Sequence, residues 1–488
     1  MAIKRYVAIK DNTITNAFKA SLTTRGTGSN MGFSDISEVF SIYGQQTSTS
    51  VEKSRVLVEW DTAAVQADRT SGAIPASGSV KFYLNLYNAK HAFTLPKDFT
   101  LVVHAVSKSW SEGHGLDMEE YDDIGVSNWI DATATTTWTT AGGDFHTGTY
   151  SAGTSLPFYS QSFTNGTADL DINVTALVEE WLAGTASDAR KNYGVGVFLT
   201  SSQEDGSTGE SYYTKKFFAR GTEFFFKRPI IEARWDDSKK DNAGNFFLSS
   251  SLAPAADNLN KLYLYNLVRG QLKDIPSVGS NAILLSVYPT LGGEKITLPV
   301  GGDVATNNHV NVTGSRVSTG IYSAQLAYTA SATTIYPVWH SGSTEFHSAS
   351  AITVNTLSSG DFNPNPKYVS KITNLKPSYD TDESARFRLY ARQKDWNPTI
   401  YTKATTNIET EIIEDAYYKV FRVVDELEVI PYGTGSLNHT RLSYDASGSY
   451  FDLNMNLFEP DYAYAIKFVY HVNGAYHEQQ ELFKFRVE

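Results

Sequence analysis

Short runs of alternating apolar and polar residues recur from one end of this 488-residue chain to the other. Within the run 80–87, Phe82 and Leu84 alternate with Lys81 and Asn85. A period of two places the apolar side chains on one face of an extended strand. Comparable runs, separated by Gly, Asn, Ser and Asp turn clusters, lie at 55–60, 100–106, 194–200, 282–288, 321–328, 335–340, 385–391, 417–424, 450–457, 464–470 and 482–487. The pattern predicts an all-β chain.

Only one segment has clear helical periodicity. Val174, Leu177 and Trp181 recur at the spacing of one helical face. Asn173 is placed to cap the start of this helix, and Gly184 is placed to end it. We therefore expect one helix of about two turns in a chain of strands.

The composition agrees with strands and argues against nucleic acid as a partner. The chain contains 29 Tyr and 26 Phe, residue types that favour pleated strands. The formal net charge is −12, and basic residues cluster only in pairs such as Lys215-Lys216 and Lys239-Lys240. Sequence-independent binding to DNA or RNA needs clustered cations that displace counterions. We expect no nucleic-acid partner.

The chain has no cysteine, so disulfides and thiolate metal sites are excluded. It also has no apolar stretch of about 18 residues, which a membrane-spanning helix requires. The residues after Met1 are polar and do not form the apolar core of a signal peptide. We expect a protein that is made in a cytoplasm and does not insert into membranes.

Two polar segments mark candidate domain boundaries. Residues 236–245 are strand-free and mixed in charge, and residues 358–366 contain two prolines and a glycine. They divide the chain into three tandem β-sandwich modules at 1–235, 246–357 and 367–488. The two later pieces have the size of a single immunoglobulin-like sandwich.

Eight short motifs follow one another in the first module: Asn30-Met31-Gly32, Arg55 to Asp61, Ser79 to Tyr87, Trp110-Ser111-Glu112-Gly113, the turns at Trp129 and Trp138, Asp171 to Gly184, Asn192-Tyr193-Gly194, and Arg228-Pro229-Ile230-Ile231. In this order they resemble the DNRLRE-type domain, a jelly-roll-like β-sandwich of bacterial surface proteins and phage virion proteins. The segment from Phe217 to Phe226 departs from that pattern because it is richer in Phe.

The later modules resemble immunoglobulin-like sandwiches. As a whole, the cysteine-free, Tyr-rich, three-module chain is similar in style to virion proteins of tailed bacteriophages, particularly phages of marine bacteria. The resemblance implies a non-enzymatic structural role in the virion. It also implies assembly contacts with other virion proteins and a homo-oligomeric state.

One acidic loop is a candidate cation site. Asp117, Glu119, Glu120, Asp122 and Asp123 supply the carboxylate oxygens that a structural Ca²⁺ prefers. Their spacing does not match an EF-hand loop, and a solvated acidic loop is the alternative interpretation. We expect no other cofactor.

Trp129 and Trp138 are the candidate ligand-contacting residues. Exposed aromatic rings on sandwich domains can stack on a surface glycan or lie in a protein interface. The alternative is that these rings fill a core, as large aromatic residues usually do and as we expect for Trp110.

The motif content favours a structural protein over an enzyme. The chain has no Gly-x-Ser-x-Gly elbow, no P-loop and no histidine metal motif. The resemblance to virion proteins makes a component of the neck, tail, baseplate or head of a virion the leading hypothesis. A carbohydrate-binding adhesin or host-recognition protein that uses exposed tryptophans is the second hypothesis. A polysaccharide-degrading enzyme with two distant carboxylates is the third.

Overall fold

The computed structural model describes residues 2–19, 21–43, 51–91, 97–116, 126–184, 190–207, 213–356, 362–395, 400 and 410–488. These residues form two compact units, 2–236 and 237–488. Among them, no helix is long and apolar enough to cross a membrane.

The first unit contains twelve strands and three short helices. The strands are β1 (Ile3–Thr15), β2 (Ile36–Tyr43), β3 (Val51–Trp60), β4 (Val80–Leu86), β5 (Phe99–Ala105), β6 (Asp131–Thr133), β7 (Thr136–Thr137), β8 (Phe158–Phe163), β9 (Leu170–Asn173), β10 (Val195–Leu199), β11 (Tyr213–Phe218) and β12 (Ile230–Trp235). The helices are α1 (Thr62–Ser71), α2 (Thr175–Ala183) and α3 (Ser201–Glu204).

Strand β1 joins the two halves of this sandwich. Its first residues, Ile3 to Val7, pair with β12, and its later residues, Ala8 to Thr15, pair with β3. The sheet therefore runs β8-β5-β10-β3-β1-β12-β4-β9; β2 also pairs with β3, and β11 pairs with β2. An irregularity between Ala8 and Lys10 marks the point where β1 changes partner.

The apolar faces of these strands enclose a main core. Alternate residues of β3, β4 and β5 point into it, because successive side chains of a strand face opposite ways: Val56, Val58, Trp60, Val80, Phe82, Leu84, Leu86, Phe99, Leu101, Val103 and Ala105. Leu57 lies between two of them and faces the other side, where a second core forms around Trp110, Trp129 and Trp138. The long connection after β5 covers this second core.

The expected helix is present as α2, with Leu177, Val178 and Trp181 buried. Val174 is its N-cap, one residue later than expected, and the Asn173 side chain accepts the N–H of Thr175 at 3.0 Å. Helix α1 was not expected, because Val65 is its only buried residue and leaves little periodicity to detect. The signal that could have revealed it is Asp61, whose carboxylate caps the N–H of Ala63 at 2.8 Å.

The second unit begins with a nine-stranded sheet. Its order is β13-β23-β21-β17-β19-β20-β14, with β18 beside β19 and β22 beside β21; β15 and β16 form a separate hairpin. The strands are β13 (Phe246–Phe247), β14 (Asn260–Tyr265), β15 (Leu267–Val268), β16 (Gln271–Leu272), β17 (Ile283–Tyr288), β18 (Val304–Ala305), β19 (Asn308–Ser318), β20 (Ile321–Leu326), β21 (Thr334–Ser341), β22 (Thr344–Ser348) and β23 (Ile352–Asn355). Trp339, Tyr322 and Tyr328 are buried in its core.

The remaining strands are β24 (Tyr368–Ile372), β25 (Ser378–Tyr379), β26 (Ser384–Gln393), β27 (Ala416–Arg422), β28 (Glu428–Ile430), β29 (Ser443–Asp445), β30 (Gly448–Asn454), β31 (Ala463–Val472), β32 (Ala475–Glu478) and β33 (Phe483–Val487). One sheet has the order β24-β26-β30-β29, and the other has the order β25-β33-β31-β27-β28. This is the strand arrangement of an immunoglobulin sandwich. Tyr464, at the start of β31, donates its hydroxyl to the Glu459 carbonyl at 2.8 Å, as in the tyrosine corner of that fold.

The expected linker at 236–245 is held against the last sandwich from residue 238 onwards. Lys240 and Tyr444 form a parallel bridge, in which the Tyr444 N–H donates to the Lys239 carbonyl at 2.9 Å and the Asp241 N–H donates to the Tyr444 carbonyl at 3.1 Å. Asp241 and Asn242 are buried. The Lys240 ammonium lies 3.1 Å from the Asp415 carboxylate. A polar segment can thus be fixed by hydrogen bonds, and residues 237–488 form one compact unit.

The prediction of an all-β, sandwich-type chain is confirmed. Each sheet takes its strands from one of the three segments 1–235, 246–357 and 367–488. The described residues form two compact units. The division into three independent modules therefore stays a prediction. Residues 358–361 of the second expected boundary lie outside the described residues.

Candidate assembly surface

The Asn-x-Gly and Trp-x-Glu-Gly motifs meet at one place in the first unit. Asn30 is fully buried, and its Oδ1 atom accepts the N–H groups of Gly115 at 3.0 Å and Gly32 at 3.4 Å. A Cβ on Gly113 would lie 1.8 Å from that Oδ1, and a Cβ on Gly32 would lie 2.0 Å from the Gly113 carbonyl oxygen. Glycine at 32 and 113 therefore lets the two segments touch.

Glu112 extends this junction to two further segments. Its two oxygens each lie 2.8 Å from the Arg220 Nη2 atom, and Oε1 also accepts the N–H of Asp11 at 3.0 Å. The turn that carries Arg220 is held in place because the N–H of Ala219 bonds to the Asp35 carbonyl at 2.9 Å. Ion pairs of this bidentate geometry fix orientation as well as distance.

The junction presents a group of exposed apolar side chains, which we call the aromatic patch: Phe33, His114, Leu116, Phe224 and Phe225. The Phe33 and His114 rings stack with centroids 4.9 Å apart. Phe33, Leu116, Phe224 and Phe225 are each 46–55% exposed. The segments that carry Phe33 and Phe224 meet where a Cβ on Gly221 would lie 3.3 Å from the Phe33 carbonyl oxygen. Large exposed apolar side chains that are grouped on a surface are typical of interaction sites.

Cations border the aromatic patch. The Lys227 ammonium lies 5.6 Å from the Phe224 ring centroid, and the Arg228 guanidinium lies 5.2 Å from the Phe225 ring centroid. Arg228 is further fixed by hydrogen bonds of 3.1 and 3.2 Å to the Thr222 carbonyl. Aromatic residues together with Arg are the composition that distinguishes protein interfaces from other surface.

Asp11, beneath the aromatic patch, is a buried acid. Burial raises the pKa of its carboxyl to about 7, and the nearby Glu112 carboxylate adds to this, although the Arg220 N–H bond to Oδ2 opposes it. The other oxygen, Oδ1, is buried, and no described residue forms a hydrogen bond with it. The folded chain therefore holds a proton here that the unfolded chain releases near pH 4.

The stability of the first unit is expected to fall as pH rises from 5 to 7, at about 1.4 kcal/mol per pH unit from this one group. The sign follows because the folded state binds the Asp11 proton more tightly than the unfolded state does. The resulting stabilisation of the folded state is complete below the unfolded pKa and is lost as pH rises through the folded pKa. Asp11→Asn should remove this slope and melt higher than the wild type at pH 7.5, as measured by calorimetry. Asp35→Asn, at an exposed position, is the matched control and should leave the slope intact.

The variants are needed because calorimetry of the whole chain also reports the pH response of the second unit. The second unit has its own buried acid, Asp241, whose pKa burial raises to about 7. A slope that is the same in wild type and Asp11→Asn would show that Asp11 is not its source.

Two interpretations of Trp129 and Trp138 were open, contact with a ligand by exposed rings and filling of a core, and the structure contradicts the first and agrees with the second. Each ring is only 5% exposed, and both belong to the second core. The Trp138 indole N–H bonds to the Asn128 carbonyl at 2.9 Å, and the Arg55 guanidinium lies 5.4 Å from the Trp129 ring centroid. These rings fix the long connection after β5, so their placement gives no support to glycan stacking. Trp110 is buried, as expected.

The candidate calcium ligands Asp117, Glu119, Glu120, Asp122 and Asp123 lie outside the described residues. The Ca²⁺ site therefore stays a prediction. In the part of the chain that the structure describes, no group of three or more His, Asp or Glu side chains is arranged to hold a metal ion.

Sequence reasoning did not identify the aromatic patch as a site. The available signal was the Phe-rich departure at 217–226, which places Phe224 and Phe225 in a short turn. Phe33 and His114 carry no such signal, because their proximity depends on the contact between two segments that are far apart in sequence.

Comparisons with known proteins do not assign a family. No family model matches the chain, and no curated protein matches it. Structural similarity is weak. The adhesin InvE of Yersinia pseudotuberculosis has 11% identity over 50% of this chain and 56% of its own, with a TM-score of 0.16. The FN1–FN3 domains of chicken CNTN1 have 8% identity over 57% of this chain and 82% of theirs, with a TM-score of 0.15. A marsupial T cell receptor has 7% identity over 47% of this chain and 68% of its own, with a TM-score of 0.16. Scores this low carry no argument about function.

Proposed function

We propose that this chain is a non-enzymatic structural component of a tailed-phage virion and that it assembles through the aromatic patch. The observation that carries the assembly role is that the segments joined by the buried Asn30–Gly113 junction and the Glu112–Arg220 ion pair expose Phe33, Phe224 and Phe225. The resemblance of the first module to virion proteins supports the assignment of the chain to a virion. A cysteine-free sandwich also suits a protein that assembles in a reducing cytoplasm.

The proposed partner at the aromatic patch is a second copy of the chain. Lys227 and Arg228 border the patch, whereas the chain as a whole has a net charge of −12. An acidic surface of a neighbouring copy would complement this basic rim and steer the encounter. Repetition of one contact would generate a symmetric ring or oligomer.

The double variant Phe224→Ser/Phe225→Ser is expected to weaken self-association by roughly two to three orders of magnitude. Buried aromatic residues at an interface centre each contribute about 2 kcal/mol or more to binding. Sedimentation-velocity centrifugation of the full chain over a concentration series measures the effect. The matched control is Leu252→Ser/Leu291→Ser, which removes two side chains that are 96% and 72% exposed in the second unit.

Equal self-association of the wild type and the Phe224→Ser/Phe225→Ser variant would contradict the assembly surface. The particle assignment has its own test, negative-stain imaging of purified virions labelled with an antibody to this chain. Labelling at a fixed position supports the virion role, and absence of the chain from virions would end it.

The adhesin hypothesis ranks second. It rested on exposed rings at Trp129 and Trp138, and both are buried. Loss of glycan-array binding in Trp129→Ala or Trp138→Ala, with the fold retained, would revive it.

A further inference from the structure

Lys215 is a lysine buried inside the first unit. Its side chain is fully buried on β11, at the edge of the main core. The ammonium lies 5.2 Å from the Phe163 ring centroid and 5.0 Å from the Phe217 ring centroid, on a face where solvent is excluded. Lysine is almost never fully buried without a charged partner.

The partners of this ammonium are all neutral. Nζ donates to the Asn88 side-chain oxygen at 2.6 Å, the Ala168 carbonyl at 2.7 Å and the Gly166 carbonyl at 2.8 Å. Among the residues that the structure describes, no carboxylate forms an ion pair with it. Burial lowers the pKa of Lys215 to about 8, although the charge of nearby Asp169 opposes this. A reactive neutral amine is thus accessible near physiological pH.

Asn88 is held in place for contact with this amine. Its N–H bonds to the Asp169 carboxylate at 2.7 Å, and it pairs with Phe217 in an isolated antiparallel bridge. The neighbouring N–H of Ala89 bonds to the Lys216 carbonyl at 3.0 Å. An amine and a carboxamide from positions 127 residues apart are therefore fixed side by side.

We propose that Lys215 and Asn88 form an intramolecular isopeptide bond. The ammonium first gives up one proton, which passes to bulk solvent, and becomes a neutral amine. The neutral Nζ then attacks Cγ of Asn88, and a new C–N bond forms. The side-chain amide nitrogen of Asn88 takes a proton from Nζ and leaves as ammonia. One amide replaces another, so no oxidant, reductant or cofactor is needed.

The reaction removes an energetic conflict that the folded chain otherwise retains. A buried ammonium without a counter-ion is unfavourable in a low-dielectric core, and an amide of the same shape carries no charge. The released ammonia leaves to solvent. The bond would tie the segment after β4 to β11, which supplies the covalent cross-link that a chain without cysteine cannot obtain from disulfides.

Mass spectrometry of the purified full chain tests the proposal. The intact mass is expected to be lower than the sequence mass by one ammonia. Proteolysis should then yield a branched peptide in which the Asn88 segment is joined to the Lys215 segment. The branched peptide is the deciding readout, because a succinimide at Asn165-Gly166 would also release one ammonia.

Variants separate the cross-link from other losses of ammonia. Lys215→Arg and Asn88→Ala should each abolish the branched peptide, whereas Lys216→Arg, a change at the adjacent and more exposed lysine, should retain it. If the folded wild-type chain yields only linear peptides, even after long incubation at mildly alkaline pH, the proposal is overturned. This outcome does not depend on whether the variants fold.

Discussion

Glu232→Ala is expected to lower the free energy of unfolding of the first unit by about 3–5 kcal/mol. Glu232 is 1% exposed on β12 and accepts from two guanidinium groups, Arg5 at 2.7 Å and Arg234 at 2.6 Å. Alanine would leave both cations without their shared carboxylate in a buried site. Breaking such a pair from one side is far more harmful than replacing the whole group with apolar residues.

Chemical denaturation of Glu232→Ala beside Glu428→Ala measures this effect. Glu428 pairs with Lys419 at 3.0 Å but is 50% exposed, so its removal should change stability by at most about 1 kcal/mol. Similar losses in the two variants would show that the buried triad is not a major source of stability.

The triad also predicts a pH response opposite to that of Asp11. Burial alone would raise the pKa of Glu232, but the facing Arg5 and Arg234 outweigh it and hold the pKa below its usual range. A carboxyl group whose folded pKa is depressed stabilises the folded state at pH values above its unfolded pKa. That stabilisation is lost as pH falls through the folded pKa. The Glu232 contribution is therefore present at neutral pH and is lost as pH falls below the usual range of a glutamate pKa.

Local patterns in the sequence predicted the strands and one helix, because alternation reports directly which face of a strand is buried. The same patterns did not predict that Asp241 and Asn242 would be buried. Polar residues become buried when distant backbone groups satisfy them, and that pairing leaves no local signature. Helix α1 was missed for a related reason, since its capping residue and one apolar contact are too little periodicity to detect.

The candidate sites depend even more on contacts between distant segments, which local sequence patterns do not reveal. Trp129 and Trp138 were candidates for ligand contact, with core filling as the alternative, because sequence spacing does not say whether a ring faces a core or solvent. Lys215 looked like part of a surface basic pair with Lys216. Strand alternation separates the two, because Lys215 points into the core and Lys216 pairs with Glu38 at 3.2 Å.

Gly113→Ala is expected to destabilise the first unit by roughly 3 kcal/mol and to abolish assembly through the aromatic patch. The new methyl group would lie 1.8 Å from Oδ1 and 2.3 Å from Cγ of Asn30, a side chain that is fully buried and would have to shift. Displacement of Asn30 would leave the N–H groups of Gly32 and Gly115 without their acceptor, and each unsatisfied buried group costs about 1–3 kcal/mol. Phe33 and His114 would then lose their common support.

A matched glycine separates overlap from the general effect of adding a methyl group. A Cβ added at Gly148 would meet no atom within 4 Å, and the φ angle there is not positive, so Gly148→Ala should stay within about 0.5 kcal/mol of the wild type. The mechanism also predicts coupling. On an Asn30→Ala background, Gly113→Ala should cost less than it does alone, because the overlapping oxygen is gone. If the stability losses of the two variants are additive, the Gly113→Ala loss does not come from overlap with Asn30. The aromatic patch would then not depend on the contact between Gly113 and Asn30.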